Sequence, residues 1–118
     1  MEIFKEFTFE AAHLLPNTPT GHKCRNLHGH SFRVEVRVTG PTVEPEGWVM
    51  DFADISAAWI NVHAILDHRF INDVPGLENP TSENIAKWIW NKLRSELPTL
   101  DAVVVRETCA SGCVYRGQ

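Results

Sequence analysis

Three histidines and one cysteine in the first third of the chain have the clearest potential for chemistry. His28 and His30 flank Gly29, Cys24 lies four positions before His28, and His13 lies farther upstream. Neutral imidazole is a good zinc ligand, and three protein ligands leave a fourth coordination position free for a substrate. These residue types and spacings predict a catalytic zinc site with a thiol beside it.

Alternating polarity predicts that two strands bring the histidines together. His28 and His30 begin a row of alternate residues that is apolar as far as Val38, which is typical of a half-buried strand. His13 ends a similar row that begins at Phe7. If the two strands pair as antiparallel neighbours, the three imidazoles converge at one edge of an apolar face.

Two other interpretations of these residues remain open. Each histidine could be an isolated polar residue at a strand end, although three in matched registers make that explanation weak. Cys24 could also bind the metal, which would close the site with one cysteine and three histidines. Spacing alone does not separate the alternatives.

Cys24 and the pair Asp67 and His68 are candidates for proton transfer. Two neighbouring cations, Lys23 and Arg25, together with a nearby metal would raise the thiolate fraction of Cys24. Imidazoles titrate near neutral pH, and the Asp67 carboxylate could fix the tautomer of His68. The alternative for this pair is that it simply caps the first helix.

Glu107 is a carboxylate at the end of another apolar row, after Val103 and Val105. A carboxylate in such a position needs a partner. Two adjacent N–H donors of a flat heterocycle, such as a guanine or pterin ring, would satisfy it, and so would a salt bridge with an arginine.

Composition predicts one domain over residues 1–118 that acts on a small molecule. The chain has 43% hydrophobic residues and four tryptophans, which is enough for a modest core. A net charge of -4 without a cluster of Lys and Arg argues against nucleic acid and anionic membranes as partners. No apolar run suggests a membrane span or a signal peptide, and the three cysteines form no disulfide framework, so we expect a cytoplasmic protein.

The polarity pattern predicts the element order ββααββ. Asp51 or Asp54 is expected to cap the first helix, and Thr81 or Ser82 the second, which ends at Leu97. The strands that follow are expected at 102–108 and 113–116, and the turn-rich connection after the second strand at 40–47.

Five stretches of the chain, taken in order, resemble the 6-pyruvoyl-tetrahydropterin synthase family. They are residues 9–13 (FEAAH), 24–32 (CRNLHGHSF), 66–68 (LDH), 79–84 (NPTSEN) and 107–108 (ET). The resemblance covers nearly the whole chain. The three residues between Cys24 and His28 are similar to the spacing in the bacterial carboxytetrahydropterin synthases of queuosine biosynthesis.

The resemblance implies an α+β tunnelling fold, or T-fold, in which an antiparallel four-stranded sheet carries two helices on one face. It also implies a homohexamer of two stacked trimers, in which sheets join edge to edge and remove exposed strand edges. Because active sites in this family lie at subunit interfaces, Asp67 and His68 are expected to serve a site whose metal belongs to a neighbouring subunit.

The implied substrate is 7,8-dihydroneopterin triphosphate, and the implied products are 6-carboxy-5,6,7,8-tetrahydropterin, acetaldehyde and triphosphate. Zn²⁺ on the three histidines would polarise the side-chain oxygens of the substrate. Cys24 would shuttle carbon-bound protons, and His68, oriented by Asp67, would act as the acid or base at the side-chain oxygens. Glu107 with Thr108 would bind the pterin ring. The alternatives are an enzyme that stops at 6-pyruvoyl-tetrahydropterin and a non-catalytic, zinc-stabilised protein that binds pterins or purines.

Overall fold

Two long strands form the centre of a five-stranded sheet in the computed structural model, which describes residues 1–118. Two helices and three shorter strands complete the regular structure. The elements are β1 (Glu2–His13), β2 (His28–Thr39), α1 (Phe52–Leu66), β3 (Arg69–Phe70), α2 (Ser82–Leu93), β4 (Leu100–Arg106) and β5 (Gly112–Tyr115). Short 3-10 turns occur at Lys23–Arg25 and Ile71–Asp73.

The strand order is β3-β1-β2-β4-β5, and the sheet is open at β3 and β5. The four predicted strands are present and pair antiparallel, so the α+β prediction is confirmed. The prediction of four strands was wrong in one respect, because Arg69 and Phe70 form a fifth strand that pairs with β1 in parallel. A strand of two residues is too short to show a period in the sequence.

The ladder between β1 and β2 sets the position of the histidines. It runs without interruption from the pair Glu2 and Thr39 to the pair His13 and His28. A side-chain period of two then keeps His30 on the same face as His28. The predicted convergence of the two apolar rows is therefore confirmed at the level of the backbone.

Both helices contact the sheet on one side and form with it a single core of 22 buried residues. On β2 the buried row runs from Phe32 to Val38, as its alternation predicts. Burying one such side chain contributes about 1.5–3 kcal/mol. The inner faces of the helices are also apolar and buried, and they carry Ile55, Trp59, Val62 and Leu66 on α1 and Ile85, Ile89 and Leu93 on α2.

Side-chain caps fix where the helices begin. Asp51 accepts a hydrogen bond from the Ala53 N–H (2.8 Å), and Thr81 accepts one from the Asn84 N–H (3.1 Å). These are two of the four candidate caps from the sequence. Helix α2 ends at Leu93, before the predicted end, because the chain continues only as isolated turns.

The face of the sheet away from the helices is polar. Glu35 is buried there and pairs with the Arg37 Nε (2.6 Å) and the Arg106 Nη1 (3.5 Å). The hydrogen bond that Arg37 donates to the Glu35 carboxylate raises the pKa of the Arg37 guanidinium. All three cysteines are free thiols, and neither helix has the length and hydropathy needed to span a membrane.

Candidate functional site

The imidazoles of His13, His28 and His30 form a compact group at the end of the β1–β2 ladder. Their potential ligand atoms all lie within 4.8 Å of one another, so the group could hold a metal ion. His13 is fully buried, whereas the side chain of His30 is 19% exposed. One flank of the group is therefore accessible to a small molecule.

Main-chain carbonyls orient two of these rings for metal binding. The His13 Nδ1 lies 2.9 Å from the Pro80 carbonyl oxygen, and the His28 Nδ1 lies 2.8 Å from the Asn26 carbonyl oxygen. A carbonyl oxygen only accepts, so each Nδ1 carries the hydrogen and a neutral ring keeps a free lone pair on Nε2. This arrangement is common for histidines that bind metals.

Two buried imidazole nitrogens in the group lack a hydrogen-bond partner. They are the Nε2 atoms of His13 and His30. Buried polar atoms are nearly always satisfied, so two orphaned atoms in so compact a group indicate a missing partner. A metal ion fits the site, because it would occupy both lone pairs at once.

Burial also lowers the pKa of His13 below its ordinary value of 6.5. The hydrogen bond to the Pro80 carbonyl and the nearby Glu107 carboxylate act in the opposite direction but do not outweigh burial. His13 is therefore held in the neutral form, which is the form that binds a metal.

Cys24 lies in the 3-10 turn directly before β2 and is partly buried. Its carbonyl oxygen accepts a hydrogen bond from the Leu15 N–H (2.7 Å), which ties the turn to the chain just after His13. The three-histidine group does not include Cys24. The interpretation of Cys24 as a fourth ligand therefore has no support in the geometry.

Arg25 has a structural role in the same loop. Its Nη1 donates to the carbonyl oxygens of Pro16 (3.0 Å) and Thr18 (2.6 Å). These bonds close the loop between β1 and β2 and hold the turn that carries Cys24.

Asp67 and His68 lie on the other edge of β1 and outside the histidine group. The His68 Nδ1 is 2.7 Å from Asp67 Oδ2, and the His68 side chain is 79% exposed. The pair lies level with Glu10, which is three residues, or roughly 10 Å, from His13 along the strand. The imidazole is presented at the surface of the subunit.

The main chain of Glu10 holds this pair at two points. Its N–H donates to Asp67 Oδ1 (2.9 Å), and its carbonyl oxygen accepts from the His68 N–H (2.6 Å). His68 has a φ of 57°, an uncommon conformation for a residue other than glycine, and it persists only where surrounding contacts fix it. Asp67 is also the C-cap residue of α1, because its N–H donates to the His63 carbonyl oxygen (2.9 Å), while its side chain bonds Glu10 and His68.

These contacts perturb the Asp67 carboxyl. The hydrogen bond from the Glu10 N–H, followed by that from His68, lowers the pKa of Asp67 below 3.8. A second imidazole, that of His63, lies 3.8 Å from Oδ2. The carboxylate is thus held in its ionised form, in which it fixes the Nδ1–H tautomer of His68.

Glu107 lies one residue beyond the end of β4 and faces the histidine group. Its carboxylate oxygens are 3.9 Å from His13 Nε2 and 3.6 Å from His30 Nε2. No arginine pairs with it, so the salt bridge considered from the sequence does not form in this structure. The carboxylate is 24% exposed and open to a ligand.

Thr108 has a role in the turn between β4 and β5. Its hydroxyl oxygen accepts a hydrogen bond from the Ala110 N–H (3.2 Å) and lies 3.1 Å from Ser111 Oγ. This turn explains why β4 ends at Arg106, before the predicted end at 108. The hydroxyl is engaged within the hairpin.

Sequence reasoning missed the groups that orient the ligand imidazoles and the pair Asp67 and His68. These groups belong to four residues, of which three, Asn26, Pro80 and Glu10, act through the main chain. Every residue has such groups, so no residue type marks them in a sequence. The fourth is the Asn72 side chain, which bonds both main-chain groups of Leu14.

The sequence matches a known family along almost its whole length. The model of the family described as 6-pyruvoyl tetrahydropterin synthase matches residues 2–118. A 6-carboxy-5,6,7,8-tetrahydropterin synthase of Synechocystis is 48% identical, with 96% of this chain and 91% of that protein covered. A dihydroneopterin monophosphate aldolase of Pyrococcus furiosus is 40% identical, with coverage of 81% and 77%.

The fold has a close structural counterpart. The structure of the 6-pyruvoyl tetrahydropterin synthase of Caenorhabditis elegans superposes with a TM-score of 0.92 at 28% identity. The superposition covers 100% of this chain and 96% of that chain. The tunnelling fold predicted from the sequence is confirmed.

Replacing one ligand should remove the metal without unfolding the chain. In His28→Gln, one of the three imidazoles is lost from a partly exposed position, so we expect stoichiometric zinc binding to disappear while the fold persists. Metal content after gel filtration and far-UV circular dichroism would check this. His63→Gln, outside the group, is the control; equal zinc in both variants would contradict the assignment.

The lowered pKa of Asp67 predicts a pH-dependent contribution to stability. Its ionised form is favoured by folding, so the contribution is complete above the ordinary value of 3.8 and is lost as the pH falls through the lower folded value. We expect the difference in unfolding free energy between wild type and Asp67→Asn to be largest above about pH 5 and to shrink below 3.8.

Urea unfolding of the metal-free chains at several pH values would measure that difference. Asp54→Asn, at an exposed position of α1, gives the baseline for loss of one surface carboxylate. A difference between wild type and Asp67→Asn that stays constant over the whole pH range would contradict the prediction.

Proposed function

The chain belongs to the 6-pyruvoyl tetrahydropterin synthase family, an enzyme family of lyases, and we propose that it forms 6-carboxy-5,6,7,8-tetrahydropterin from 7,8-dihydroneopterin triphosphate. Water is consumed, and acetaldehyde and triphosphate are the other products. The observation that carries the proposal is the orphaned Nε2 pair of His13 and His30 beside the Glu107 carboxylate, in a chain that resembles carboxytetrahydropterin synthases. We place the reaction in queuosine biosynthesis.

Zinc is the metal that best suits this donor set. His13, His28 and His30 would hold it, since three neutral imidazoles are a common catalytic zinc site. When bound, zinc supplies Lewis acidity to the hydroxyl and carbonyl oxygens of the substrate side chain.

Glu107 is the proposed anchor for the pterin ring. Two adjacent N–H groups of that ring would donate to its two oxygens, and a bidentate pair fixes the orientation of the ring as well as its position. The carboxylate lies within 3.9 Å of two ligand imidazoles, so a ring held there directs its side chain toward them. Thr108 adjoins this anchor and is proposed to contact the same ring.

Cys24 is the proposed base for the carbon-bound protons. A hydrogen bond from the Leu15 N–H to the Cys24 carbonyl oxygen ties the turn that carries the thiol to the chain two residues after His13. The thiolate would take a proton from the substrate side chain and return it to the neighbouring carbon. Repeated transfer would move the carbonyl along the chain until carbon–carbon cleavage releases the two-carbon fragment.

Asp67 and His68 are proposed to complete the active site of a neighbouring subunit. The Asp67 carboxylate fixes the His68 tautomer, and the exposed imidazole would then exchange a proton with a side-chain oxygen of the substrate. Because β3 and β5 leave the sheet open, edge-to-edge pairing of subunits would cover both edges. We propose a homohexamer of two stacked trimers.

The cytoplasm is the proposed location. A reducing compartment keeps thiols free, and all three cysteines of this chain, including the proposed base, are free thiols.

Two other activities on related substrates compete with this proposal. A 6-pyruvoyl-tetrahydropterin synthase would use the same residues and stop after elimination of triphosphate. Aldol cleavage is the second, because the relative from Pyrococcus furiosus has the name of an aldolase at 40% identity. A protein that only binds pterins would have no need for a cysteine beside the metal group.

Product analysis tests the proposal directly. Zinc-loaded protein is incubated with 7,8-dihydroneopterin triphosphate, and the products are identified by mass spectrometry. We expect 6-carboxy-5,6,7,8-tetrahydropterin together with acetaldehyde. The pyruvoyl product alone, or an aldol cleavage product, would assign one of the competing activities, and no turnover by folded, zinc-loaded protein would leave only a binding function.

Loss of the Cys24 thiol should abolish turnover and leave the metal in place. In Cys24→Ala we expect kcat to fall by at least about 100-fold, which is the scale of general base catalysis, with zinc content unchanged. Cys109→Ala, which removes an exposed thiol from the β4–β5 turn, should keep wild-type activity. Loss of zinc from Cys24→Ala would show instead that the thiol is a ligand.

A further inference from the structure

The main chain on both sides of His13 is held by the segment that follows α1. Before it, Ala12 pairs with Phe70 in the parallel ladder. After it, the Leu14 N–H donates to Asn72 Oδ1 (3.0 Å), and the Leu14 carbonyl oxygen accepts from Asn72 Nδ2 (2.9 Å). The position of the buried histidine therefore depends on a side chain far away in the sequence.

Asn72 continues the parallel ladder with its side chain. Asn72 and Leu14 are separated by 58 residues, the same separation as between the paired residues Phe70 and Ala12. The backbone at this point has already turned into the 3-10 segment Ile71–Asp73 and makes no further ladder pair. A carboxamide has the donor and acceptor of a peptide group, so it can supply the missing rung.

The same side chain also holds the far end of the segment. Asn72 Nδ2 donates to the Glu78 carbonyl oxygen (3.4 Å), two residues before Pro80. The Pro80 carbonyl oxygen in turn accepts from His13 Nδ1. One amide thus fixes both the backbone next to His13 and the loop that orients the His13 ring.

We propose that Asn72 is a positioning residue for the metal ligand His13. The inference rests on the proposed metal site and extends it to a residue that contacts neither the metal nor a ligand side chain. Without the Asn72 amide, the end of β1 and the Pro80 loop would move independently, and His13 Nε2 would no longer be held toward the other two imidazoles.

Asp is the most informative replacement at this position. Asn72→Asp keeps an oxygen to accept from the Leu14 N–H, but it replaces the donor that faces the carbonyl oxygens of Leu14 and Glu78 with a second acceptor. The size of the side chain is unchanged. Loss of groups that orient a metal ligand weakens binding by about 10–100-fold, so we expect zinc affinity to fall by at least about tenfold.

The experiment measures zinc affinity of the metal-depleted chain by competition with a chromogenic chelator. Val74→Ala is the matched control, because it removes a buried apolar side chain of the same segment and leaves the hydrogen bonds between Asn72 and Leu14 in place. Urea unfolding of each metal-free variant confirms that it is folded. We expect weak zinc binding in Asn72→Asp and wild-type affinity in Val74→Ala; equal affinities in the two variants would overturn the inference.

Nuclear magnetic resonance supplies a readout that does not need the metal. In the metal-free wild type, the His13 Nδ1 hydrogen bonded to Pro80 should exchange slowly with water, and in Asn72→Asp at least about tenfold faster. Unchanged exchange would also count against the role of Asn72. Failure of the wild-type chain to bind zinc at all would overturn the metal site itself, whereas unchanged affinity in Asn72→Asp would overturn only this inference.

Discussion

The antiparallel ladder between β1 and β2 is the constraint on which the site depends. Its register runs unbroken to the pair His13 and His28, so the last residue pair of this ladder consists of two candidate metal ligands. A shift of the β2 register by one residue would turn His28 and His30 to the polar face of the sheet. The row of buried residues from Phe32 to Val38 prevents such a shift, because the shift would expose these apolar side chains to water. The same strand register therefore buries the core residues and aligns the histidines.

Strand pairing brings the rings together, but the connections determine which nitrogen each ring presents. Carbonyl oxygens from the loops before β2 and α2 take the Nδ1 hydrogens of His28 and His13. Burial disfavours the charged form of His13, so its imidazole is neutral. Because Nδ1 carries the hydrogen, the lone pair of the neutral ring lies on Nε2, which has no partner. A metal ion held by the three histidines would satisfy both orphaned atoms and so offset the cost of a polar group at the end of an apolar row.

The site divides into a rigid, buried part and an exposed part on different edges of β1. The metal group is on the β2 side, and Asp67 with His68 is on the β3 side, held by the main chain of Glu10. Neither part reaches the other within one subunit by its side chains. The exposure of His68 and the open sheet edges are both explained if a neighbouring subunit brings the parts together. In such an assembly the proposed reaction would depend on the contact between subunits as much as on the fold.

The sequence by itself determined the long strands, the two helices with a pair of candidate caps for each, and the three ligand candidates, because side-chain periodicity is a local property that residue types record. It also marked Glu107 as a carboxylate that ends an apolar row and needs a partner, and the structure places that carboxylate beside His13 and His30. Only the tertiary structure decided that Asn26 and Pro80 orient the rings, that Asn72 supplies a rung beside Leu14, and that two residues form β3. These contacts use main-chain groups or a side chain 58 residues away, and such pairings leave no periodic trace in the residues themselves.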